Sequence, residues 1–596
     1  MTDPSALYFG PQERPLFGWL HVAPAPADAP RLGLILCNPF GYEAICAHRS
    51  IRHFAESAAN AGMPALRFDY DGSGDSAGDA LDAGRLTAWT TSITHAIDAL
   101  RRHTGVARVA LLGIRLGGAL AALAASGRAD VAGLITIAPI IQVKSYVREL
   151  RMLQLALEAK RNLPQESRDG VLESCGFLLA EQTQQSLASI DLMRLQAAPA
   201  ADILILERAG LPVAGKWAER LLAQGARVER REIEGYEAMM LDSHETVIPQ
   251  TMIQASVAWL RGLAAAQPAS TQQAVAPVTM ASEAQVRMGE VTETAVRFGP
   301  AQGPALFGIV TAATDLNRHA GGGRKAVLLL NAGAVHRVGP NRLYVELARH
   351  WARSGHVALR FDIAGIGDSA PRAGKPENIV YPPEAIEDLT AAIDHLHRAW
   401  QITEFHAVGL CAGAYHAFKA AVGGLPLAGV VLINPLTFYW REGMSLKYPD
   451  HRIASDMMRY QANVWRPASW LKLLKGQVHL GELFQVLARR ATCLTFEPLR
   501  ALGHILRIPM RKDLGADLGR AAARGIDLQF VFAALEPGIE LLRNKGGYAA
   551  RRLRAQGRLK VEVISGTDHT FTDREPRAAL ARFLAAKLDG PAREPA

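Results

Sequence analysis

The chain contains one cysteine in a setting that suits a nucleophile. Cys411 is the middle residue of Gly-Leu-Cys-Ala-Gly, 409–413, which follows the apolar run 405–408 and precedes the helix-forming run 414–420. A strand, a sharp turn and a helix in this order lift the side chain at the apex clear of the sheet, and glycines flank the apex because the two backbones crowd there. A cysteine between glycines can also be a small buried residue, so the turn predicts chemistry only if a base lies beside it.

A thiol becomes an effective nucleophile when it loses its proton. Its pKa is about 8.5 in water, and an adjacent imidazole converts it to the thiolate. The helix that begins at Ala412 would place the positive end of its dipole at the sulfur. The fold must therefore bring a histidine, and a carboxylate to orient it, to this turn from other strands.

The composition limits the classes of protein to be considered. A chain of 596 residues, 49% hydrophobic and 21% charged, is expected to form about two to four globular domains. Its first residues lack the basic and apolar character of a signal peptide, and its apolar runs are too short to span a membrane. Five cysteines without CxxC spacing indicate reduced thiols. We expect a cytoplasmic protein with no disulfide framework, metal site or cofactor.

The net charge of +9 comes from basic clusters in the second half of the chain, at 489–490, 500–512 and 543–558. Such clusters commonly form a solvated surface. They could instead bind an anionic partner, such as an acidic carrier protein or the phosphates of a coenzyme A thioester. No aromatic residues alternate with the arginines, so we do not expect nucleic acid binding.

The chain contains the same pattern twice. The matched pairs are 65–76 (ALRFDYDGSGDS) with 358–369 (ALRFDIAGIGDS), the opening hairpins around 9–18 with those around 298–308, and 113–117 (GIRLG) with 409–413 (GLCAG). Three matches in the same order indicate a tandem duplication.

Each copy alternates short apolar runs with helical patterns. The strands predicted in the first copy are 32–37, 63–68, 106–112, 133–138, 203–206 and 228–233, with helices at 51–61 and 86–100. The strands predicted in the second are 327–330, 357–361, 405–408, 430–433, 528–532 and 561–564, with helices at 343–351 and before Trp400. Strands that are apolar on both faces and alternate with helices are typical of a doubly wound, mostly parallel sheet.

These patterns divide the chain into two domains, 1–265 and 286–596. The linker 266–285 between them is small, polar and contains proline, so it cannot form a core. In each copy one long segment interrupts the alternation, at about 140–198 and about 436–525. The first of these is mostly helical without a strand, and we expect both to be helical caps.

The repeated architecture resembles the α/β-hydrolase superfamily over nearly the whole chain, twice. Residues 328–342 (LLLNAGAVHRVGPNR) with 365–369 (GIGDS) are similar to bacterial hydrolases of the exosortase-associated type. A cysteine at the apex is also similar to dienelactone hydrolases and to the aminoacyl-shuttling transferases of nonribosomal peptide assembly. The resemblance implies two tandem α/β-hydrolase domains, each with a helical cap inserted.

The resemblance also implies a catalytic triad in the chain order nucleophile, acid, histidine. In the second copy it places the acid at Glu536, before a proline, and the histidine at His569, in the loop Ser-Gly-Thr-Asp-His. With Cys411 as the nucleophile, Glu536 would hold the tautomer and orientation of the imidazole. Separately, Glu536 could be a surface carboxylate and His569 could bond a loop.

The same resemblance implies an oxyanion hole formed by the backbone N–H groups of Ala412 and of Gly333 and Ala334. His336 and Arg337 follow this loop. We expect them to be structural or solvent-facing rather than contacts to a substrate.

The first copy lacks all three triad residues. Its apex is Arg115, which is not nucleophilic, and Leu211 and Ala238 occupy the positions of the acid and the histidine. His244 lies nearby but has no nucleophile to serve. We expect a degenerate domain kept as a scaffold, cover or docking surface, although Arg115 could bind an anionic group.

The function predicted from these residues is acyl transfer through an acyl-Cys411 thioester. Exchange between thioesters is close to isoenergetic, so the acyl group can be passed on. Esters and thioesters are favoured over amides as substrates because a thiolate is a better leaving group than an amine. Release to water would make the protein an esterase or thioesterase. One alternative is an acyl- or aminoacyltransferase that uses a carrier-protein thiol or a small acceptor, and another is a binding or scaffold protein without catalysis.

Overall fold

The structure is a computed structural model of the chain. It describes residues 4–22, 32–161, 170–266, 284–315, 324–441, 444, 513–534 and 536–589. The chain divides into two compact units. The first comprises Met1–Arg297, Phe307–Leu316 and Ala334–Ser354, and the second comprises Phe298–Leu306, Asn317–Gly333 and Gly355–Ala596. The domain boundaries inferred from the sequence repeat stay a prediction.

The first unit contains an eight-stranded sheet and a separate short hairpin. The strands are β1 (Ser5–Phe9), β2 (Leu16–His21), β3 (Gly33–Cys37), β4 (Ala65–Phe68), β5 (Val109–Ile114), β6 (Val131–Ile137), β7 (Leu172–Ser174), β8 (Phe177–Leu179), β9 (Asp202–Arg208) and β10 (Arg227–Ile233). The order in the sheet is β1-β2-β4-β3-β5-β6-β9-β10. The first two pairings are antiparallel and the rest are parallel.

Helices cover both faces of this sheet. They are α1 (Tyr42–Asn60), α2 (Arg85–Thr104), α3 (Leu116–Ala125), α4 (Val143–Arg161), α5 (Glu181–Ala188), α6 (Gly215–Ala223), α7 (Tyr236–Met239) and α8 (Gln250–Ala265). Successive residues of a strand point to opposite faces. Leu111 of β5 accordingly packs in one cluster with Ile93 of α2, and Leu112 packs in another with Phe54 of α1. Burial on both faces explains the continuous apolar strands.

Two details of the first copy differ from the sequence prediction. The helix expected at 51–61 begins earlier, at Tyr42, because its first turns mix polar with apolar residues and show no continuous apolar pattern. The cap expected at 140–198 without a strand contains α4, α5 and the antiparallel hairpin of β7 and β8. The hairpin was missed because its strands have three residues each, too few to show an alternation.

The second half of the described chain repeats these elements. Its strands are β11 (Ala284–Met288), β12 (Val291–Phe298), β13 (Leu306–Ala313), β14 (Lys325–Leu330), β15 (Val357–Asp362), β16 (Glu404–Leu410), β17 (Gly429–Ile433), β18 (Asp527–Ala533) and β19 (Leu559–Ile564). Its helices are α9 (Leu343–Arg353), α10 (Ala385–Trp400), α11 (Ala412–Gly423), α12 (Leu514–Ala523), α13 (Pro537–Ala555) and α14 (Arg574–Asp589). Strands β11 to β13 and helix α9 fall mainly in the first unit.

In the second unit six strands pair in parallel in the order β15-β14-β16-β17-β18-β19. This order matches β4-β3-β5-β6-β9-β10 of the first unit, strand for strand. The shared crossover confirms the predicted fold class, two doubly wound and mostly parallel sheets. Most of the linker at 266–285 and of the cap at 436–525 lies outside the described residues. None of the described helices combines the length and hydropathy needed to cross a membrane.

Candidate active site

Cys411 lies at the apex of a tight turn between β16 and α11. Its φ of 58° and ψ of −110° lie in a region that non-glycine residues rarely occupy, and its N–H donates to the carbonyl oxygen of Ile433 at 2.9 Å. A Cβ atom at Gly409 would lie 2.1 Å from the carbonyl carbon of Gly413, and one at Gly413 would lie 2.6 Å from the carbonyl oxygen of Leu330. Glycine alone fits both positions, so the turn presents the sulfur of a partly exposed cysteine at the end of the sheet.

His569 and Glu536 come from the loops after β19 and β18. Glu536 directly precedes α13 and is 5% exposed. The Nδ1–H of His569 donates to Oε1 of Glu536 at 2.8 Å, which fixes the tautomer of the ring. The other ring nitrogen, Nε2, is buried and makes no hydrogen bond of standard geometry among the described residues. The remaining group that interacts with the ring is Cys411.

The electrostatics of this cluster favour the protonated form of His569. Burial lowers the pKa of His569, but the Cys411 sulfur raises it through its charge and through hydrogen bonding, and Glu536 raises it further. The resulting pKa lies well above the usual range for histidine. The His569 side chain is 30% exposed although its Nε2 is buried, so solvent reaches one edge of the ring.

Tyr381 is close to Cys411 and was not found by sequence analysis. Burial raises the pKa of its phenol well above the usual range, and Cys411 raises it further through charge and hydrogen bonding. The ring stacks on Trp440, with centroids 4.3 Å apart, and meets Tyr415 edge-on at 5.1 Å. Tyr381 lies in the loop before α10, and no spacing motif connects it to the turn at Cys411. Sequence analysis therefore had no signal for it.

The predicted oxyanion loop follows β14. Gly333 has a φ of 63° and belongs to the second unit together with Cys411, whereas Ala334 begins a segment of the first unit. Ala412 is the first residue of α11, and the N–H groups of a first helical turn have no acceptor within their helix. Their assignment as oxyanion donors stays a prediction.

The first copy has kept the geometry of the turn with a different residue at its apex. Arg115 has a φ of 53° and a ψ of −119°, and its N–H donates to the carbonyl oxygen of Ile137 at 2.9 Å. A Cβ atom at Gly113 would lie 2.4 Å from the carbonyl oxygen of Gly117, and one at Gly117 would lie 2.3 Å from that of Cys37. The backbone frame is therefore common to both turns.

The strand registers align the other two triad positions. The residue before each apex pairs with a residue of the next strand, and that residue pairs in turn with one in β9 in the first copy or in β18 in the second. Leu211 lies as many residues after the partner in β9 as Glu536 lies after the partner in β18. The pairing of the last strands aligns Ala238 with His569 in the same way. Leu211 is 51% exposed, so the site of the acid has become an ordinary surface position.

Arg115 is held between carboxylates. Its Nε donates to Glu43 at 2.9 Å and a terminal nitrogen donates to Glu149 at 2.6 Å. The guanidinium also lies over the ring of Tyr146, 5.1 Å from its centroid, and the Tyr146 hydroxyl donates to Glu43 at 3.1 Å. With two acidic partners already bound, Arg115 is poorly suited to bind an anionic substrate.

His336 and Arg337 are buried and belong to the first unit. The His336 ring stacks on that of His48 with centroids 3.9 Å apart, and Arg337 forms a 2.6 Å ion pair with Asp75. Both residues are structural, as one of the two expectations had it, and neither faces solvent.

Part of the first copy matches a known protein family. Residues 46–231 match the model of the family described as serine aminopeptidase, S33. The match covers less than half of the chain and falls on the copy whose apex is Arg115. With the sheet order and the paired turns, it shows that the chain has the α/β-hydrolase fold. No curated protein sequence matches the chain.

Solved structures that are similar to this chain include the following three. Est1E from Butyrivibrio proteoclasticus is 19% identical, with a TM-score of 0.33, and the match covers 44% of this chain and 99% of that protein. The α/β hydrolase GrgF from Penicillium sp. sh18 is 16% identical, with a TM-score of 0.31 and coverages of 44% and 99%. The α/β hydrolase domain-containing protein 10 from mouse is 16% identical, with a TM-score of 0.28 and coverages of 43% and 96%.

Proposed function

We propose that the second copy is an acyl-transfer enzyme that forms an acyl-Cys411 intermediate from an ester or thioester and releases the acyl group to water. The observation that supports this most is the cluster of Cys411, His569 and Glu536, three residues from separate loops. Two interactions of His569 are those expected in a nucleophile–base–acid triad. A 2.8 Å bond to Glu536 orients the imidazole, and the sulfur of Cys411 raises its pKa.

The proposed reaction begins with the thiolate of Cys411. Attack on the acyl carbon forms a C–S bond and a tetrahedral oxyanion, which the N–H groups of Ala412 and of Gly333–Ala334 would stabilise. Collapse of this adduct breaks the bond to the alcohol or thiol leaving group, and the His569 imidazolium donates its Nε2 proton to that group. Neutral His569 then takes a proton from water as the water attacks the thioester. The second tetrahedral adduct breaks its C–S bond, the electron pair returns to the Cys411 sulfur, and the free acid departs while His569 keeps the proton from water.

The sulfur nucleophile makes amides poor substrates. In a tetrahedral adduct with an amide, the thiolate is a better leaving group than the amine, so the adduct collapses backwards. Esters and thioesters offer leaving groups that compete with Cys411. We therefore do not carry the aminopeptidase activity in the name of the matching family over to this copy.

A transferase is the second candidate, and the surface of α13 favours it. This helix begins directly after Glu536, and Arg543, Arg552 and Arg554 are exposed along it, followed by Arg558 and Lys560. This positive surface extends from the first turns of α13, which follow Glu536, to the start of β19 at the opposite edge of the sheet, and it could attract an acidic carrier protein or a coenzyme A thioester in the cytoplasm. In that reaction a thiol replaces water as the acceptor of the acyl group.

The test is intact-mass spectrometry of the full chain after exposure to a panel of acyl thioesters and activated esters. We expect a mass increment of one acyl group on the wild type and none on Cys411→Ala. Adding thiol or amine acceptors separates the two enzymes, because a hydrolase yields only free acid and a transferase diverts product. An increment that persists in Cys411→Ala would refute the proposed nucleophile, and no increment on either protein would favour a binding protein.

A further inference from the structure

Asn434 connects the two loops that carry the base and the acid. This residue follows β17 and is fully buried. Its Nδ2 donates to the carbonyl oxygen of His569 at 2.7 Å, and its Oδ1 accepts from the N–H of Ala533, the last residue of β18, at 2.9 Å. Its own N–H donates to the carbonyl oxygen of Val531 at 2.9 Å. One side chain thus joins the backbone of His569 to the strand that leads to Glu536.

The first copy has the same backbone at this position without the amide. Ala138 lies the same number of residues after Arg115 as Asn434 lies after Cys411. Its φ of 46° matches the φ of 45° at Asn434, and its N–H donates to the carbonyl oxygen of Leu206 at 2.8 Å. Asparagine tolerates a left-handed conformation better than alanine does, so the first copy has kept a strained backbone and lost the residue that suits it.

We propose that Asn434 is a positioning residue that holds His569 in reach of Cys411, an inference that rests on the function proposed above. The bond to the His569 carbonyl fixes the backbone of the residue that carries the base. The bond to Ala533 fixes the strand end from which the chain continues to Glu536. The Asn434 amide therefore holds in place the loops that carry both partners of the 2.8 Å bond between His569 and Glu536.

A purely structural role for Asn434 would have a different signature. A buried amide that only satisfies two backbone groups contributes to folding, and its loss lowers stability without changing the chemistry of the sulfur. A positioning residue also sets how fast Cys411 reacts, because a correctly placed imidazole is needed to take up the proton of the thiol. The rate of the Cys411 reaction and its dependence on pH therefore separate the two roles.

The experiment measures the rate of alkylation of Cys411 by iodoacetamide in the full chain between pH 5 and pH 9, with the modified residue identified by peptide mass spectrometry. For the wild type we expect alkylation at neutral pH to be much faster than that of a free cysteine. For Asn434→Ala we expect alkylation at neutral pH to slow by about 10- to 100-fold, as a shift near 1 Å in a catalytic group produces, with a pH profile closer to that of a free cysteine.

Two further variants keep the test decisive. Asn434→Ala should fold because Ala138 holds the same backbone in the first copy, and circular dichroism checks this. Asn434→Asp keeps the acceptor for Ala533 and in its ionised form cannot donate to the His569 carbonyl, so at the alkaline end of the pH range it should behave like Asn434→Ala. The matched control is Gln529→Ala, which removes a buried amide of β18 that donates to the carbonyl of Phe530 at 3.0 Å and should keep the wild-type profile.

The outcomes are distinct for the two proposals. A folded Asn434→Ala with the wild-type pH profile would overturn the positioning role while leaving the proposed function intact. If Asn434→Ala does not fold, Asn434→Asp decides by the same criterion. A shift of equal size in Gln529→Ala would also overturn the role, because it would show a general effect of lost stability. A wild type that reacts like a free thiol would overturn both proposals.

Discussion

The two glycine-flanked turns of this protein have the same backbone and opposite chemistry. Cys411 and Arg115 differ by 5° in φ and 9° in ψ, from 58° and −110° against 53° and −119°. Around Cys411 a histidine and a glutamate converge, whereas around Arg115 two glutamates do. The first cluster raises the pKa of an imidazole beside a thiol, and the second neutralises a cation. The fold therefore supplies the turn, and the loops at the ends of the strands decide what it does.

The two copies also show that the residues proposed for chemistry can change while the fold is kept. The first copy has lost its nucleophile, acid, histidine and loop-bridging asparagine, at Arg115, Leu211, Ala238 and Ala138. It has kept the sheet order and the hydrogen bond of each turn to the neighbouring strand. Glu43 and Glu149 bind Arg115 at the position where the second copy has the proposed nucleophile.

Removing the base should break the difference between the copies most completely. In His569→Ala, Cys411 loses the imidazolium that stabilises its thiolate, so we expect alkylation at neutral pH to slow by about 100-fold or more. Acylation in the mass assay should fall in parallel. The measurement is the pseudo-first-order rate of iodoacetamide labelling at pH 7. His244→Ala, in the first copy and not in contact with a nucleophile, is the control that should match the wild type, and a rate indifferent to both changes would favour a binding protein.

Acid should destabilise the second copy through His416. This residue is buried in α11, donates to the carbonyl oxygen of Val380 at 2.9 Å, and burial lowers its pKa to about 4. The unfolded chain binds a proton below about pH 6.5 and the folded chain does not. The free energy of unfolding should therefore fall between pH 6.5 and 4, by about 3 kcal/mol.

The first copy supplies the variant for that prediction, because Leu120 occupies the equivalent, buried position in α3. His416→Leu should remove this part of the acid sensitivity, with a smaller loss of stability at pH 7 from the missing bond to Val380. Denaturant midpoints at pH 7 and pH 4.5 measure both effects. An equal loss of stability on acidification in the variant and the wild type would contradict the assignment.

Restoring a thiol to the first turn should not restore chemistry. Arg115→Cys in a Cys411→Ala background should take up no acyl group, because Leu211 and Ala238 offer neither acid nor base. Glu43 would lose the partner that opposes the effect of burial on its pKa, so we expect a loss of about 1–3 kcal/mol in the free energy of unfolding. Intact mass and a denaturant titration test the two parts. Acylation of the thiol introduced at position 115 would show that the turn alone suffices.

The parts of this molecule that the sequence could predict are those set by local pattern and repetition. Apolar runs such as the one in β5 are buried on both faces, and the duplicated glycines made both turns visible. The assignment of Cys411, His569 and Glu536 as a triad rests on the order in which they follow three strands and stays a prediction, and the structure places His569 and Glu536 2.8 Å apart. The strand registers support the alignment of Leu211 and Ala238.

The parts that the sequence could not predict depend on contacts between distant segments. Tyr381 approaches Cys411 from a loop that carries no motif, and Asn434 is one polar residue after an apolar strand. The glutamates that bind Arg115 come from α1 and from the cap, so their number and sign were not visible at the turn. The strands of the hairpin, β7 and β8, are too short to show an alternating pattern that would distinguish them from the helices around them.

The crowding at Gly409 and Gly413 has a consequence for how such proteins change over time. The glycines two residues before and after the apex have no room for a side chain, whereas the apex itself carries a thiol in one copy and a guanidinium in the other. The two turns therefore keep both glycines and differ at the three positions between them. After a duplication, one copy can therefore replace the residue at its apex and still fold, and that copy can then acquire a different function.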